Sequence, residues 1–342
     1  MDAGSEVKIV VDAMGGDYAP QNPVRGALIA SREYQIKVIV VGNEKEIKAE
    51  MNKVDVTGTS IDIVHAEEAI RMDEDALQAV RKKKKSSIRV ATEIIKNGNA
   101  SGMVSAGNTG AIVAITKMAL GTLEGVERPA LAILIPHMKG FSIVIDVGAN
   151  VDCKPLHLKQ FAIMGSIYAH EMLGIQQPRI GLLNIGEEEI KGNELIKEVH
   201  KSLKEAGINF IGNIEGKDVY GGIADVIVCD GFVGNIVLKV SESLAETIEK
   251  MLEEELSRTI WSKLGYFLAK GAFATFTKRL DYSEYGGAPL LGAKGISIIC
   301  HGRSSAKAIK NAIKVAMNFS HYKINDRIQE TIMKVNGKVI HV

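Results

Sequence analysis

The stretch VKIVVDAMGGD, Val7 to Asp17, joins a continuous apolar run to a turn rich in glycine and aspartate. A short apolar run without polar alternation is typical of a strand that helices cover on both faces. The residues that follow, Pro20–Tyr34, have a helical pattern. The order strand, glycine turn, helix is the repeating unit of α/β proteins.

This order recurs through most of the chain. The predicted strands are Val7–Val11, Ile36–Val41, Ile61–His65, Gly102–Ser105, Leu131–Ile135, Ser142–Ile145, Ile180–Leu183, Asn209–Ile211, Val226–Cys229 and Ile296–Cys300. The predicted helices are Pro20–Tyr34, Glu44–Met51, Asn108–Gly121, Pro155–Leu173, Asn193–Ala206, Asn235–Leu256 and Ser304–Phe319. We therefore expect one α/β domain over residues 1–342, built on a Rossmann-like, doubly wound and mostly parallel sheet in an α/β/α arrangement. Two strands joined by Pro136–Gly140 interrupt the rhythm and predict a hairpin insertion.

The charge balance excludes some classes of function. The 342 residues contain 42 Lys and Arg against 41 Asp and Glu, which gives a formal net charge of +1. Nucleic-acid-binding domains have a marked basic excess, so we expect no nucleic-acid partner. The three cysteines are widely spaced and predict neither a disulfide framework nor a metal site, which favours a cytoplasmic protein. No apolar run is long enough to span a bilayer.

Glycine with aspartate or asparagine follows five of the predicted strands. In open α/β sheets, ligands bind at the carboxyl ends of strands, where glycine allows close approach and Asn or Asp can cap the next helix. We expect these turns to line one shared cleft that suits an anion such as phosphate; ordinary strand-to-helix turns are the alternative for any single one. The turns contain Asp12, Gly15, Gly16, Asp17, Ser105, Gly107, Asn108, Thr109, Gly110, Asp146, Gly148, Asn150, Asn184, Gly186, Asp230, Gly231, Gly234 and Asn235.

The best phosphate cradle is Ser105–Gly110, because its last three residues open a long predicted helix. No G-x-x-x-x-G-K-[ST] is present and no G-x-G-x-x-G follows the first strand, which disfavours a kinase and a standard Rossmann dehydrogenase. Lys191 would neutralise a bound phosphate, or else it is a solvated loop charge. Nucleophile candidates are weak, because Cys229 has the pattern of a small buried residue and Ser105 lacks the G-x-S-x-G elbow.

In their order along the chain, these motifs resemble the PlsX family, the bacterial phosphate acyltransferases or acyl-phosphate synthases. The resemblance runs from Val7 to about Phe319. It rests on the segments Val10–Asp17, Arg81–Ser87, Ser105–Gly110, Arg128–Ala130, Asp146–Asp152, Leu183–Gly186, Lys191–Glu194, Asp230–Asn235 and Tyr285–Gly287.

This resemblance implies a homodimer whose fold is similar to those of phosphotransacetylases and isocitrate-type dehydrogenases. It implies transfer of a long-chain acyl group from acyl-[acyl-carrier-protein] to inorganic phosphate, without a metal or organic cofactor. The acyl phosphate would feed a downstream glycerol-3-phosphate acyltransferase on the way to phosphatidic acid. Family members associate peripherally with the inner face of the cell membrane.

For such a reaction, phosphate can attack the thioester without a protein base, and the enzyme positions it and stabilises the oxyanion. We assign the phosphate to Asn108, Thr109 and Lys191. The supporting donors are Asn184, Asn193 and Asn235. A free carboxylate would repel phosphate, so the aspartates of the turns are expected to fix loops and cap helices. These are Asp12, Asp17, Asp146 and Asp230.

Two further segments are predicted to bind partners. A basic run suits an acidic carrier protein, with a solvated helix end as the alternative. It consists of Arg81, Lys82, Lys83, Lys84 and Lys85. An amphipathic helical protrusion at about 257–280 suits a membrane surface, with a dimer interface or a core-covering helix as the alternative. Its membrane-facing residues are predicted to be Trp261, Leu264, Phe267, Leu268, Phe273 and Phe276.

Three competing functions follow from the sequence. A short-chain phosphotransacetylase would use the same cleft with acyl-coenzyme A, although the basic run and the apolar protrusion favour a protein carrier and a long chain. An isocitrate-type dehydrogenase would need a cluster of metal-binding carboxylates, and none is recognisable. A non-catalytic membrane scaffold would not need glycine and asparagine loops at so many strand ends.

Overall fold

The computed structural model describes residues 7–280, 285–335 and 337, with the side chains of 272 and 274–280 outside that description. Within these ranges, the strands form one eleven-stranded sheet. They are β1 (Lys8–Asp12), β2 (Lys37–Gly42), β3 (Ser60–His65), β4 (Gly102–Ser105), β5 (Ala130–His137), β6 (Gly140–Ile145), β7 (Ile180–Leu183), β8 (Phe210–Ile214), β9 (Val226–Val228), β10 (Ala288–Leu291) and β11 (Ile296–Ile299). The helices are α1 (Gln21–Tyr34), α2 (Glu44–Met51), α3 (Ala76–Lys82), α4 (Ser87–Lys96), α5 (Thr109–Ala119), α6 (Pro155–Leu173), α7 (Glu194–Lys204), α8 (Gly231–Ser257), α9 (Ile260–Leu280), α10 (Ala306–His321) and α11 (Ile324–Val335).

The sheet consists of two parallel sets that run in opposite directions. Its order is β3-β2-β1-β4-β11-β10-β5-β6-β9-β7-β8. Strands β3, β2, β1, β4 and β11 are parallel to one another, and so are β6, β9, β7 and β8. Strand β10 is antiparallel to both β11 and β5, and β5 is antiparallel to β6. The carboxyl ends of the two sets therefore lie at opposite edges of the sheet.

Both faces of the sheet are buried. In β1, Ile9 and Val11 pack into the core on one face and Val10 into the core on the other. Successive side chains of a strand point to opposite faces, so a strand between two helical layers needs apolar residues at every position. The mostly parallel α/β/α arrangement predicted from the continuous apolar runs is confirmed.

The predicted hairpin is present, but it is not an insertion. Strands β5 and β6 pair from Ala132 opposite Ile145 to His137 opposite Gly140, and β6 then pairs with β9. The hairpin is an integral part of the sheet, at the place where the second parallel set begins. It is the reason why the two sets run in opposite directions.

Four elements lack a counterpart among the predicted ones. Strand β10 is short and contains Pro289. Helix α3 ends within the basic run and α4 begins just after it, and the charged residues of the run obscure an apolar period. Helix α11 did offer a signal, because its buried residues Ile324, Ile328 and Ile332 recur every fourth position.

Helix α8 leaves the core almost at once. Although it has 27 residues, only Gly231 and Gly234 are buried. Helix α9 follows it and contacts it. The exposed helical segment therefore begins within α8, earlier than the predicted start at 257.

Candidate active site

The first loop cluster lies at the carboxyl ends of β1, β4 and β11. It consists of residues 12–17, 105–108 and 301–305. The Asp17 amide donates to the Gly302 carbonyl at 2.8 Å. Gly16 has a φ of +96° and lies against Gly302 and Ala106, so a side chain at this position would be both strained and obstructed. Helices α1, α5 and α10 begin beside this cluster, which therefore contains the positive ends of three helix dipoles.

Asp12 and Ser105 are buried inside the first loop cluster. Ser105 Oγ donates to Asp12 Oδ2 at 2.7 Å and accepts a hydrogen bond from the Gly107 amide at 3.1 Å. Asp12 Oδ1 accepts from the Met14 amide at 3.1 Å. Burial raises the pKa of Asp12, and the hydrogen bond from Ser105 acts against this shift. Both side chains thus hold the loops together, and Ser105 is not placed as a nucleophile.

Asn108 caps α5 and holds a neighbouring loop. Its Oδ1 accepts from the Ala111 amide at 3.1 Å. Its Nδ2 donates to the carbonyl oxygens of Met72 and Glu74, at 3.3 and 3.1 Å. Both ends of this amide therefore have protein partners. By contrast, the hydroxyl of Thr109, the first residue of α5, has no hydrogen-bond partner within the described residues.

The second loop cluster lies at the carboxyl ends of β6, β7 and β9. It consists of residues 146–150, 184–193 and 230–235. Gly234 packs so closely on the Asp146 carbonyl that any side chain there would collide with it. The Gly231 amide donates to the Asn150 carbonyl at 2.7 Å. Close packing of α8 on the loop after β6 thus explains why two of the predicted glycines are needed.

Asp146 holds the loop that follows β6. Its buried carboxylate accepts five hydrogen bonds of 2.7–3.3 Å. The donors are the main-chain amides of Leu131, Gly148, Ala149 and Asn150 and the side-chain amide of Asn150. Burial raises the pKa of Asp146, and these donors act against that shift. Asp230 has a simpler role, because its Oδ1 caps α8 by accepting from the Val233 amide at 2.8 Å.

Several asparagines of the second loop cluster also bond to the protein itself. Asn184 Nδ2 donates to the Lys191 carbonyl at 3.2 Å, and Asn193 Oδ1 caps α7 by accepting from the Ile196 amide at 3.0 Å. The exposed Lys191 ammonium and the half-buried Asn235 amide have no such partner in the part of the chain that is described. Among the predicted donors, Lys191, Asn235 and the exposed Nδ2 of Asn193 are therefore the available ones at this edge.

The structure separates the predicted shared cleft into two loop clusters. Because the β5–β6 hairpin reverses the strand direction, Asn108 and Thr109 lie at one edge of the sheet, whereas Lys191, Asn193 and Asn235 lie at the other. Helix α8 connects the two edges. It begins in the second loop cluster, and its Glu246 forms a 2.8 Å ion pair with Arg303 of the first.

The cysteines near the second loop cluster are not activated. Burial raises the pKa of the Cys153 thiol to about 11, and burial also raises the pKa of Cys229. Both are protonated at neutral pH, and a protonated thiol is a poor nucleophile. No group of His, Cys, Asp and Glu within the described ranges is arranged to hold a metal ion.

One segment of the first loop cluster and one loop beside it were missed by the sequence reasoning. Residues 301–305 follow the predicted strand Ile296–Cys300 and contain Gly302 with two serines but no Asp or Asn, so only their place at a strand end could have indicated them. Residues 69–74 offered no signal, because their place depends on the hydrogen bonds from Asn108.

The basic run divides into paired and unpaired cations. Lys83 donates to the Ala69 carbonyl and pairs with Glu74, and Lys85 pairs with Glu67 at 2.8 Å. The exposed cations without a partner among the described residues are Arg81, Lys82 and Lys84. The cations of the basic run that remain free to meet a partner are therefore Arg81, Lys82 and Lys84, whereas the Lys83 and Lys85 ammonium groups already have acceptors in the protein.

Large apolar side chains are exposed on α9. Trp261 is 81% exposed, Phe267 72% and Leu268 77%, while Leu264 is also exposed. Phe273 contacts Tyr266, with ring centroids 5.2 Å apart. The side chain of Phe276 lies outside the described residues. Within the described ranges, no helix is both long and apolar enough to cross a bilayer.

Helix α8 has an apolar row of its own. The row recurs every three or four positions, the spacing of one helix face. It consists of Phe232, Ile236, Val240, Leu244, Ile248 and Met251, all exposed. Both helices thus carry exposed apolar side chains, whereas the sequence predicted them for residues 257–280 alone.

Comparison with known proteins gives the family. The family model described as Fatty acid synthesis protein matches residues 7–327. The phosphate acyltransferase of Geobacter sulfurreducens is 51% identical over 324 residues, which are 95% of this chain and 94% of the relative. The chain belongs to the phosphate acyltransferase family. Another member, from Pelotomaculum thermopropionicum, is 50% identical over 332 residues and 97% of both chains. The family resemblance of the ordered motifs is confirmed.

The fold of this phosphate acyltransferase family member is shared with more distant solved structures. A phosphotransacetylase from Streptococcus pyogenes has a TM-score of 0.62 at 18% identity, covering 93% of this chain and 94% of that one. A branched-chain phosphotransacylase from Enterococcus faecalis has a TM-score of 0.58 at 14% identity, covering 92% and 99%. These likenesses concern the fold alone, and they confirm the expected similarity to phosphotransacetylases.

Proposed function

We propose that this chain transfers a long-chain acyl group from acyl carrier protein to inorganic phosphate, releasing acyl phosphate and the free carrier thiol. The main support is the identity of 50–51% to phosphate acyltransferases over nearly the whole chain. The product would then acylate glycerol 3-phosphate in phospholipid synthesis. The loop clusters agree with anion binding, because Asp12, Asp146 and Asp230 are bonded to the protein itself. Asp17 departs from the expected loop-fixing role, because its exposed carboxylate has no hydrogen-bond partner among the described residues.

Phosphate can be the nucleophile without a protein base, since it is partly dianionic near neutral pH. One phosphate oxygen attacks the thioester carbonyl carbon, the C–S bond breaks with its electron pair on sulfur, and the thiolate takes up a proton from solvent. Positioning phosphate against the carbonyl can supply about 7–11 kcal/mol. Each donor to the oxyanion can supply about 2.7–4 kcal/mol. This chemistry needs no activated cysteine, in agreement with the raised pKa values of Cys153 and Cys229.

We place the phosphate at the first loop cluster. Three helices begin there, and the N–H groups of the first turn of α5 lie next to the Thr109 hydroxyl. The Asp12 carboxylate beneath them is bonded to Ser105, so it is not directed at the anion. The second loop cluster is the competing site, because the available Lys191 ammonium and Asn235 amide could also bind phosphate.

Single substitutions in the two clusters distinguish these sites. Rates of acyl phosphate formation are measured against phosphate concentration for Thr109→Ala, Asn108→Ala, Lys191→Ala and Asn235→Ala. With phosphate at the first loop cluster, Thr109→Ala raises the KM for phosphate about tenfold, the effect of losing one hydrogen bond to a charged group. Lys191→Ala then changes it by less than about twofold. A KM for phosphate that rises in Lys191→Ala and not in Thr109→Ala would assign the phosphate to the second loop cluster. An unchanged KM for phosphate in all four variants would overturn both candidate phosphate sites.

The acidic carrier protein is expected to dock on α3 and the loop after it, through Arg81, Lys82 and Lys84. Helix α3 packs on α5, and Ala76 Cβ lies 3.0 Å from the position that a Cβ on Gly110 would take. A carrier bound to α3 would therefore lie beside the start of α5. This contact supports a carrier position next to the proposed phosphate site.

We assign the two apolar surfaces to different partners. Helix α9 combines exposed Trp261 and Phe267 with Lys263 and Lys270, a combination typical of helices that lie on an anionic membrane surface. The row along α8 has the spacing of a helix that packs on another helix, which suits a second copy of this chain. The enzyme would then be a dimer at the inner face of the membrane.

A further inference from the structure

The 69–74 loop, residues 69–74 between β3 and α3, forms a wall of the first loop cluster. Asn108 Nδ2 donates to its Met72 and Glu74 carbonyls, at 3.3 and 3.1 Å. The Met72 side chain lies on Gly302, with its Cε 2.8 Å from the position that a Cβ there would take. The loop therefore contacts the segments that lead into both α5 and α10.

Lys83 forms hydrogen bonds with both ends of the 69–74 loop. Its Nζ donates to the Ala69 carbonyl at 2.7 Å, where the loop starts, and to Glu74 Oε1, where it ends. The Arg71 amide donates to the same Glu74 oxygen at 2.8 Å. The Lys83 and Glu74 side chains are only 26% and 27% exposed, so water screens this pair less than a surface ion pair.

We propose that Lys83 is a positioning residue for the phosphate site and not part of the carrier-docking surface. The inference rests on the proposed function and on phosphate binding at the first loop cluster. Without the ammonium, Ala69 loses its donor and Glu74 loses its cation, so the loop is no longer held against Asn108. The first turn of α5 is then less well fixed, and small misplacements of reacting groups reduce rates strongly.

Lys83→Met and Lys84→Met form a matched pair, because each removes one ammonium and keeps the apolar stem, and Lys84 is exposed. KM is measured separately for phosphate and for palmitoyl-acyl carrier protein. Lys83→Met is expected to raise the KM for phosphate at least about fivefold while the KM for the carrier changes by less than about twofold. Lys84→Met is expected to affect only the KM for the carrier, and Lys83→Arg to restore part of the phosphate affinity.

Wild-type constants in Lys83→Met, with an active wild-type enzyme, would overturn this inference and leave the proposed function standing. A wild-type enzyme that forms no acyl phosphate would overturn the proposed function and this inference with it. Glu74→Gln tests the same contact with little change of shape, should Lys83→Met fail to fold. It should also raise the KM for phosphate, whereas a lower Tm with an unchanged ratio of the two KM values would contradict the positioning role.

Discussion

Asp12 and Asp146 occupy equivalent places, at the ends of the first strands of the two parallel sets. Each carboxylate is buried and accepts hydrogen bonds from the loop that follows its strand. Because the negative charge is directed into the protein, the N–H groups at the helix starts around it remain suited to an anion. The sequence predicted this role for both aspartates from the repulsion between carboxylate and phosphate.

Asp146→Asn is predicted to destabilise the fold strongly. Each oxygen of Asp146 accepts at least two hydrogen bonds, so an amide NH2 in either place faces N–H donors. Each buried donor left without an acceptor costs about 1–3 kcal/mol. Urea unfolding should therefore show a free energy of unfolding lower by about 2–5 kcal/mol. Asp17→Asn is the control, and an equal loss in both variants would contradict this account.

The availability of a side chain is harder to predict than its presence in a loop. Composition identified Asn108 and Thr109 as neighbours at the start of a helix, and the structure places them there. Only the three-dimensional contacts show that the Asn108 amide is engaged with Met72 and Glu74, 36 and 34 residues earlier in the chain. In the same way, the sequence does not distinguish the five consecutive cations of the basic run from one another, although the Lys83 ammonium is directed inward to the Ala69 carbonyl.

Among the elements, the strands agree best with what the sequence indicated, and α8 and α9 differ most from it. The strands were predicted because burial on both faces demands continuous apolar runs, and ten of the eleven in the described ranges have a predicted counterpart. The mostly parallel sheet and the hairpin were predicted, but the opposite direction of the second parallel set was not, since a short apolar run has no signal for its neighbours in the sheet. Because the β5–β6 hairpin reverses the strand direction, the turns that were predicted to line one cleft form two loop clusters. The sequence predicted an apolar surface on residues 257–280 alone, and the structure also has a row of exposed apolar side chains along α8.

Two double substitutions separate the roles of α8 and α9, and each is the control for the other. Trp261→Glu with Phe267→Glu should abolish binding to anionic liposomes, because it places carboxylates where apolar rings enter the interface. It should leave the dimer and the activity on soluble substrate intact. Val240→Glu with Leu244→Glu should give a monomer in sedimentation, because like charges then meet across the helix pair. Liposome binding lost equally in both variants would contradict the separate assignment.

At the scale of the whole molecule, the net charge of +1 conceals an uneven distribution. The unpaired cations Arg81, Lys82 and Lys84 lie together at α3 and the loop after it, whereas Lys83 and Lys85 are neutralised by glutamates. An acidic carrier would respond to this local surface rather than to the molecular total. Such attraction acts mainly on the association rate and weakens as salt screens it.

Lys82→Glu with Lys84→Glu is predicted to raise the KM for acyl carrier protein by about tenfold at low salt, and much less at high salt. The KM for phosphate should stay unchanged, because neither residue contacts the first loop cluster. Steady-state rates at two ionic strengths check both points. A KM for the carrier that is the same in the variant and the wild type at low salt would remove the docking role.

The most direct measurement is the formation of acyl phosphate from palmitoyl-acyl carrier protein while inorganic phosphate is titrated from zero. The product is trapped with hydroxylamine and the free carrier thiol is counted in the same samples. We predict that both rise together, saturate with phosphate and vanish without it, while acetyl-coenzyme A reacts far more slowly. Thiol release that does not depend on phosphate, or a preference for acetyl-coenzyme A, would contradict the proposed function.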